Sequence, residues 1–129
     1  MTVERSPGPA GRSFSGSLRV TGGGTWVYVS GRMGLDSSGA VVPGGLRGQS
    51  RAALDQVLEA VEAAGGTAAN VVKLTAYLTS LEEYDTYNDV RAEVFGSTLP
   101  ASTAIGAAEL IVDGAVIEID GVAFIPKAG

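Results

Sequence analysis

Val71-Val72-Lys73-Leu74-Thr75-Ala76-Tyr77-Leu78 is the stretch on which the fold turns. It is rich in β-branched and aromatic residues and apolar on both phases of the alternation, so it reads as a strand largely buried on both faces. A helix signal lies on each side. Upstream, Leu46, Ala53, Leu54, Val57, Leu58, Val61 and Ala64 recur at helical spacing, while Gln49, Arg51, Asp55, Gln56, Glu59 and Glu62 take the other faces. Gly65-Gly66 ends that amphipathic helix. Downstream, Ser80 with Glu83 three residues later has capping-box spacing. The helix it opens buries Leu81, Tyr84, Tyr87, Val90, Val94 and Phe95, and closes at Gly96 and Pro100.

Working outward, Phe14 to Val20 and Trp26 to Ser30 are short β-prone runs joined by Thr21-Gly22-Gly23-Gly24-Thr25, a pattern that predicts a hairpin. That glycine run leads into a strand and lacks a following Lys-Ser/Thr, so it reads as a turn and not as a phosphate cradle. Two last strands, about Ala101 to Ala108 and Ala115 to Ile125, complete the order ββαβαββ, an α+β fold. Residues 1–12, with Pro7, Gly8, Pro9 and Gly11, read as a flexible arm without regular structure, and residues 13–129 as one domain. Two helices cover one face of such a sheet. The other face then needs a cover, which predicts self-association.

Composition narrows the chemistry. A chain of 129 residues, 45% hydrophobic and 18% charged, suits one globule with a real core. A net charge of −5 repels phosphate backbones, which argues against nucleic acid as a partner. With neither Cys nor His, the chain has no thiolate, no imidazole base and no usual metal ligand set. Carboxylates, hydroxyls, amides, Lys and Arg must do the work. No stretch approaches a membrane span and no leader pattern is seen, so a cytoplasmic location without membrane contact is expected.

Several segments in order carry a resemblance: Val27-Tyr28-Val29-Ser30-Gly31, the helix ending Leu58 to Gly66, Asn70 to Leu78, Tyr84-Asp85-Thr86-Tyr87-Asn88 with Phe95, Leu99-Pro100-Ala101, and Ile117-Glu118-Ile119-Asp120-Gly121-Val122-Ala123. From about residue 14 to 125 the chain resembles the Rid (YjgF-type) family of imine and enamine deaminases. The resemblance implies a chorismate mutase-like fold and a homotrimer whose sheets pack into a central barrel-like core. It also implies intersubunit pockets in which imines are hydrolysed to keto acids and ammonia without a cofactor or metal.

Carried over residue by residue, the resemblance places Ser30, Gly31 and Asn88 around the substrate and Asp120 where a family glutamate holds the attacking water. Phe14 stands for a pocket tyrosine and Ala104 for a position that is often Cys. The largest departure is Ser102, which occupies the place of an arginine that forks onto the substrate carboxylate. Losing one partner of such a pair costs about 2 to 5 kcal/mol, which argues for a substrate other than an ordinary 2-imino acid. Arg32 is a candidate replacement, since residues 30 and 32 of a regular strand point to one side; the alternative is a solvated strand-end Arg. Ser102 and Thr103 either bind a neutral polar ligand or satisfy strand-end backbone groups. Lys73 and Glu118 could pair across the sheet, and Lys73 is a weaker candidate for a Schiff-base nucleophile.

Two functions remain open from sequence. One is a hydrolase adding water to a small electrophilic C=N substrate, with Asp120 positioning the water. The other is a non-catalytic trimer that binds a metabolite or protein in the inherited pocket. Ribonuclease action fits poorly with the charge and the absence of His.

Overall fold

The computed structural model describes residues 3–128; Met1, Thr2 and Gly129, the ends of the expected arm and domain, lie outside the described residues. Its elements run β1 (Val3–Ser6), β2 (Ser17–Val20), β3 (Gly24–Met33), α1 (Gly45–Ala63), a 3-10 turn (Ala68–Asn70), β4 (Val71–Leu78), α2 (Tyr84–Phe95), β5 (Ala101–Gly106) and β6 (Ile117–Pro126). Four strands form a mixed sheet in the order β3-β6-β4-β5, in which only β4 and β5 run parallel. A parallel pair needs a crossover, and α2 supplies it.

Both helices lie on one face of the sheet. Ala53, Leu54, Val57 and Val61 of α1 and Tyr87, Val90 and Phe95 of α2 pack on Leu74, Ala76 and Leu78 of β4 and on Ile117, Ile119 and Ala123 of β6. Gly121 matters here, because a side chain at this position would run into Val57 and Leu74, 3.2 and 3.4 Å from where its Cβ would sit. Strand alternation sends the odd residues Lys73, Thr75 and Tyr77 of β4 and the even residues Glu118, Asp120 and Val122 of β6 to the opposite, helix-free face. Trp26 and Tyr28 of β3 and Ile105 of β5 join them there and are exposed.

Three expectations change. The N-terminal arm is not structureless: Val3–Ser6 pairs antiparallel with Ser17–Val20. Gly8 and Gly16 let the joining loop close, since a side chain on either would strike backbone of the facing segment, and Arg5 donates to the Leu99 and Ala69 carbonyls. Secondly, β2 and β3 form no hairpin and lie in different sheets. Gly22 takes a left-handed φ of 89° that turns the chain, and the β3–β6 pairing continues to Gly23, whose carbonyl accepts from Lys127 N. With Val27 and Val29 to bury, β3 gains more from the central strand β6 than from β2. Thirdly, α2 starts at Tyr84 without the Ser80/Glu83 box; Ser80 Oγ accepts from Glu82 N instead, making a local turn.

Candidate active site

The residues singled out by sequence fall into two groups on different faces and edges of the sheet. Ser30, Gly31, Thr103 and Asp120 belong to the helix-free side, whereas Phe14, Asn88, Ser102 and Ala104 gather on the helix side of the β5 edge.

On the helix-free side, Val29 pairs with Gly121 and Arg32 with Ile119, so Ser30 and Gly31 together face the single residue Asp120. This one-residue bulge sets the Ser30-Gly31 backbone opposite Asp120, and the side chain against Gly31 is the Glu118 carboxylate, which a Cβ at that position would strike. It also removes Arg32 from the same group. Arg32 shares its ladder position with Ile119, a core residue of the helix side, so residues 30 and 32 do not point one way. The sequence expectation assumed an unbroken two-residue period, and the bulge breaks it. Asp120 Oδ2 accepts from the Tyr77 hydroxyl at 3.0 Å, while its other oxygen has no hydrogen-bond partner among the described residues. The bond to Asp120 is the largest cause that pushes the Tyr77 phenol above its ordinary value, which keeps it a donor. Lys73 Nζ donates to Thr103 Oγ1 at 2.7 Å and does not pair with Glu118, which stands opposite Tyr77.

On the helix side, Tyr84, Tyr87, Asn88 and Arg91 form one stripe of α2 at spacings of three, four and seven. The N-terminal loop reaches the same place because Ser15 bridges to Ala101 and donates through its backbone and Oγ to the Pro100 and Leu99 carbonyls. Phe14 thereby meets the stripe. Asn88 is 8% exposed: Oδ1 accepts from Ser13 N at 2.8 Å and Arg91 Nη2 at 3.0 Å, and Nδ2 donates to the Gly11 carbonyl. It ties the loop to α2, with one Nδ2 hydrogen uncommitted among the described residues.

Arg91 is the residue that the sequence reading missed. Its guanidinium, 1% exposed, donates from Nε to Ser13 Oγ, from Nη1 to Ser102 Oγ and from Nη2 to the Tyr84 hydroxyl, each at 2.9 Å. It also sits over the rings of Tyr87, Phe14 and Tyr84 at 4.8, 5.2 and 5.9 Å. Ser102 is thus a partner of an arginine and not simply the scar of one. A cavity of about 390 Å³ opens here, lined by Phe14, Arg91, Ser102 and Ala104 with Arg12, Tyr84, Leu81 and Pro9. A neighbouring cavity of about 440 Å³, between the start of α1 and the turn before α2, offers Glu82 and Glu83 but no cation and none of the expected site residues. No cluster of potential metal ligands occurs among the described residues.

The sheet keeps the two groups apart within one chain. Ser30 and Gly31 on β3 are three strand spacings, roughly 14 Å, from Ser102 on β5, Asp120 on β6 is two spacings away, and Thr103, although on β5, faces the opposite side of the sheet. No single copy brings them together.

This sheet order with one-sided helices defines the chorismate mutase-like class of α+β proteins. Known proteins make the assignment narrower. The chain belongs to the Rid (YjgF-type) family, since the model of the endoribonuclease L-PSP family matches residues 6–125. A 2-iminobutanoate/2-iminopropanoate deaminase of Bos taurus is 40% identical over 98 residues, 75% of this chain and 71% of that protein. A RutC family protein of Pyrococcus horikoshii is 31% identical over 123 residues, 95% of this chain and 94% of that one. Among solved structures, RidA of an Antarctic Psychrobacter species superposes with a TM-score of 0.73 at 29% identity, covering 97% of this chain and 99% of that chain. A Rid family protein of Yersinia pestis reaches a TM-score of 0.81 at 24% identity, covering 97% and 100%, a likeness of fold.

Proposed function

We propose that this chain is a cofactor-independent hydrolase that adds water to a reactive imine or enamine, in a pocket formed between neighbouring copies of a homotrimer. The mammalian relatives are named for the deamination of 2-imino acids. The observation that carries the reading here is Asp120, a carboxylate with one oxygen steadied by Tyr77 and the other without a partner among the described residues, standing opposite the Ser30-Gly31 bulge.

The chemistry asked of these groups is modest. The oxygen of Asp120 not bonded to Tyr77 accepts a proton from water as the water oxygen bonds to the carbon of C=N, and that proton then passes from Asp120 to the imine nitrogen, giving a neutral carbinolamine and restoring the carboxylate. Collapse of that adduct expels ammonia and leaves the carbonyl product. Ser30 and the Gly31 amide donate to the polar groups of the substrate during the addition. An enamine enters the same route after its imine tautomer forms. Homotrimer formation supplies the second half of the pocket and a cover for the exposed Trp26, Tyr28 and Ile105. Because Ser102 stands where the resemblance puts a carboxylate-gripping arginine, the proposal does not include deamination that depends on an arginine on β5.

The test is ammonia release from imines made in situ by an amino acid oxidase. Asp120→Asn, which keeps the shape and removes the base, should lower turnover by about 10²- to 10⁴-fold with the fold intact. Undiminished turnover in this variant would remove Asp120 from the mechanism.

A further inference from the structure

Arg91 is a buried cation without an anion. The ion pairs among the described residues join Arg12 to Asp85, Arg19 to Glu4, Arg47 to Glu93 and Arg51 to Asp55, and none includes Arg91. The acids of its own helix face elsewhere, Asp85 toward Arg12 and both Asp89 and Glu93 toward Arg47. Tyr87 does not provide the missing charge: burial, the largest influence on it, raises the phenol above its ordinary value against the opposing pull of Arg91, so it stays neutral. Its hydroxyl is buried beside Arg91 and Ser102, without a well-formed hydrogen bond among the described residues. A guanidinium held only by neutral acceptors and ring faces retains most of the cost of leaving water.

The hydrogen-bond inventory shows where an anion would be held. A guanidinium has five N–H groups. Four are used: Nε on Ser13, one Nη1 hydrogen on Ser102, and both Nη2 hydrogens on Tyr84 and Asn88. The second Nη1 hydrogen makes no well-formed hydrogen bond among the described residues, and the buried Tyr87 hydroxyl, which interacts with both Arg91 and Ser102, is the acceptor that a ligand would have to outcompete. Ser102 Oγ accepts from Nη1 at 2.9 Å, which leaves its own hydrogen free to donate. Both donors belong to residues lining the β5-edge cavity, 2.9 Å apart, and the other cation on its wall, Arg12, is already paired with Asp85. Two neighbouring donors with a positive charge behind them suit a planar carboxylate.

We infer that Arg91 is the anion receptor of this pocket, with Ser102 as its second donor, so that the ligand bound there carries a carboxylate seated between Arg91 Nη1 and Ser102 Oγ. As a statement about the substrate, this rests on the hydrolase reading above. It makes the charge available from helix α2, so the serine on β5 belongs to the receptor and does not mark a loss of anion recognition. A purely structural Arg91, gluing the N-terminal loop to α2, would account for the four occupied bonds but would not distinguish an anion from its neutral ester.

Titration calorimetry with 2-oxobutanoate and its methyl ester separates these readings. The native protein should bind the acid at least about tenfold more tightly than the ester, the factor expected from one charge-assisted hydrogen bond. Ser102→Ala should shrink that preference several-fold while the protein stays folded with a lowered thermal midpoint, Arg91→Lys should keep part of it, and Arg91→Gln should abolish it. If Arg91→Gln does not fold, Ser102→Ala and Arg91→Lys decide. Equal binding of acid and ester by the native protein, binding of neither, or a full preference surviving in both Ser102→Ala and Arg91→Lys would overturn the assignment. Ammonia release is measured in parallel: hydrolysis without acid preference leaves the hydrolase reading standing alone, and acid preference without hydrolysis leaves a carboxylate receptor.

Discussion

Asn88→Ala tests whether the β5-edge cavity is held open by hydrogen bonds that reach across the chain. The side chain receives Ser13 N at 2.8 Å and Arg91 Nη2 at 3.0 Å and gives a bond to the Gly11 carbonyl at 3.1 Å, all in a largely buried setting. Truncation strands a backbone N–H, a charged N–H and a carbonyl. A stranded buried group costs about 1 to 3 kcal/mol, and water entering the small void recovers some of it, so a net loss of about 3 to 4 kcal/mol is expected. Against a typical total of about 5 to 15 kcal/mol, that is a large displacement of the urea midpoint. Unfolding of native and variant at equal chain concentration, followed by circular dichroism, measures it, since assembly makes stability concentration-dependent. A loss under about 1 kcal/mol would show that Asn88 is not the tie described.

Three further outcomes follow from other parts of the molecule. Tyr28 is 77% exposed in a single copy; if the helix-free face is covered by two other copies, Tyr28→Glu should dissociate an assembly of three 13.0 kDa chains in sedimentation, and an unaltered assembly would remove that face from the interface. Arg47 holds the Glu93 carboxyl below its ordinary value, chiefly by a hydrogen bond, so the stabilisation is present above the ordinary carboxylate range and fades as pH falls through the lowered value. Glu93→Gln and native protein should therefore differ slightly at neutral pH and converge in acid; the pair is solvent-exposed, and a difference that grew in acid would contradict the sign. Ser102→Arg should not raise activity, because a second guanidinium would meet Arg91 in the cavity; a gain of imine hydrolysis would show that Arg91 yields its place readily.

The parts of the fold legible in sequence were those where one period dominates. β4 was read with its observed ends, and α1 within a residue, because each presents an unbroken apolar pattern to a single core. The N-terminal strand was hidden because its four residues, Val3–Ser6, are stabilised by β2 and by Arg5 bonds to carbonyls about 64 and 94 positions away, which no local pattern encodes. The hairpin failed for a similar reason: a glycine run marks a turn, but the choice between β2 and β6 as partner for β3 is made by burial. Arg32 was misplaced by a bulge that only the β3–β6 register reveals. Arg91 did carry a signal, a cation four residues after Tyr87 and seven after Tyr84 on the apolar stripe of α2. Its significance depends on Ser102, eleven residues on and across a crossover, so it emerges only when the two meet at 2.9 Å.

The central claim is that one site draws Asp120 from one copy and the Arg91-Ser102 cavity from another, and subunit complementation tests it most directly. Asp120→Asn removes one half, and Ser102→Arg blocks the other; each is expected to be inactive alone. Co-expressed in equal amounts under two affinity tags and purified through both, they form mixed trimers in each of which about one of the three sites pairs an intact Asp120 with an intact cavity across an interface. Ammonia release near a third of the native rate is the expected result. Mixed assemblies as inactive as either parent would contradict a site shared between copies.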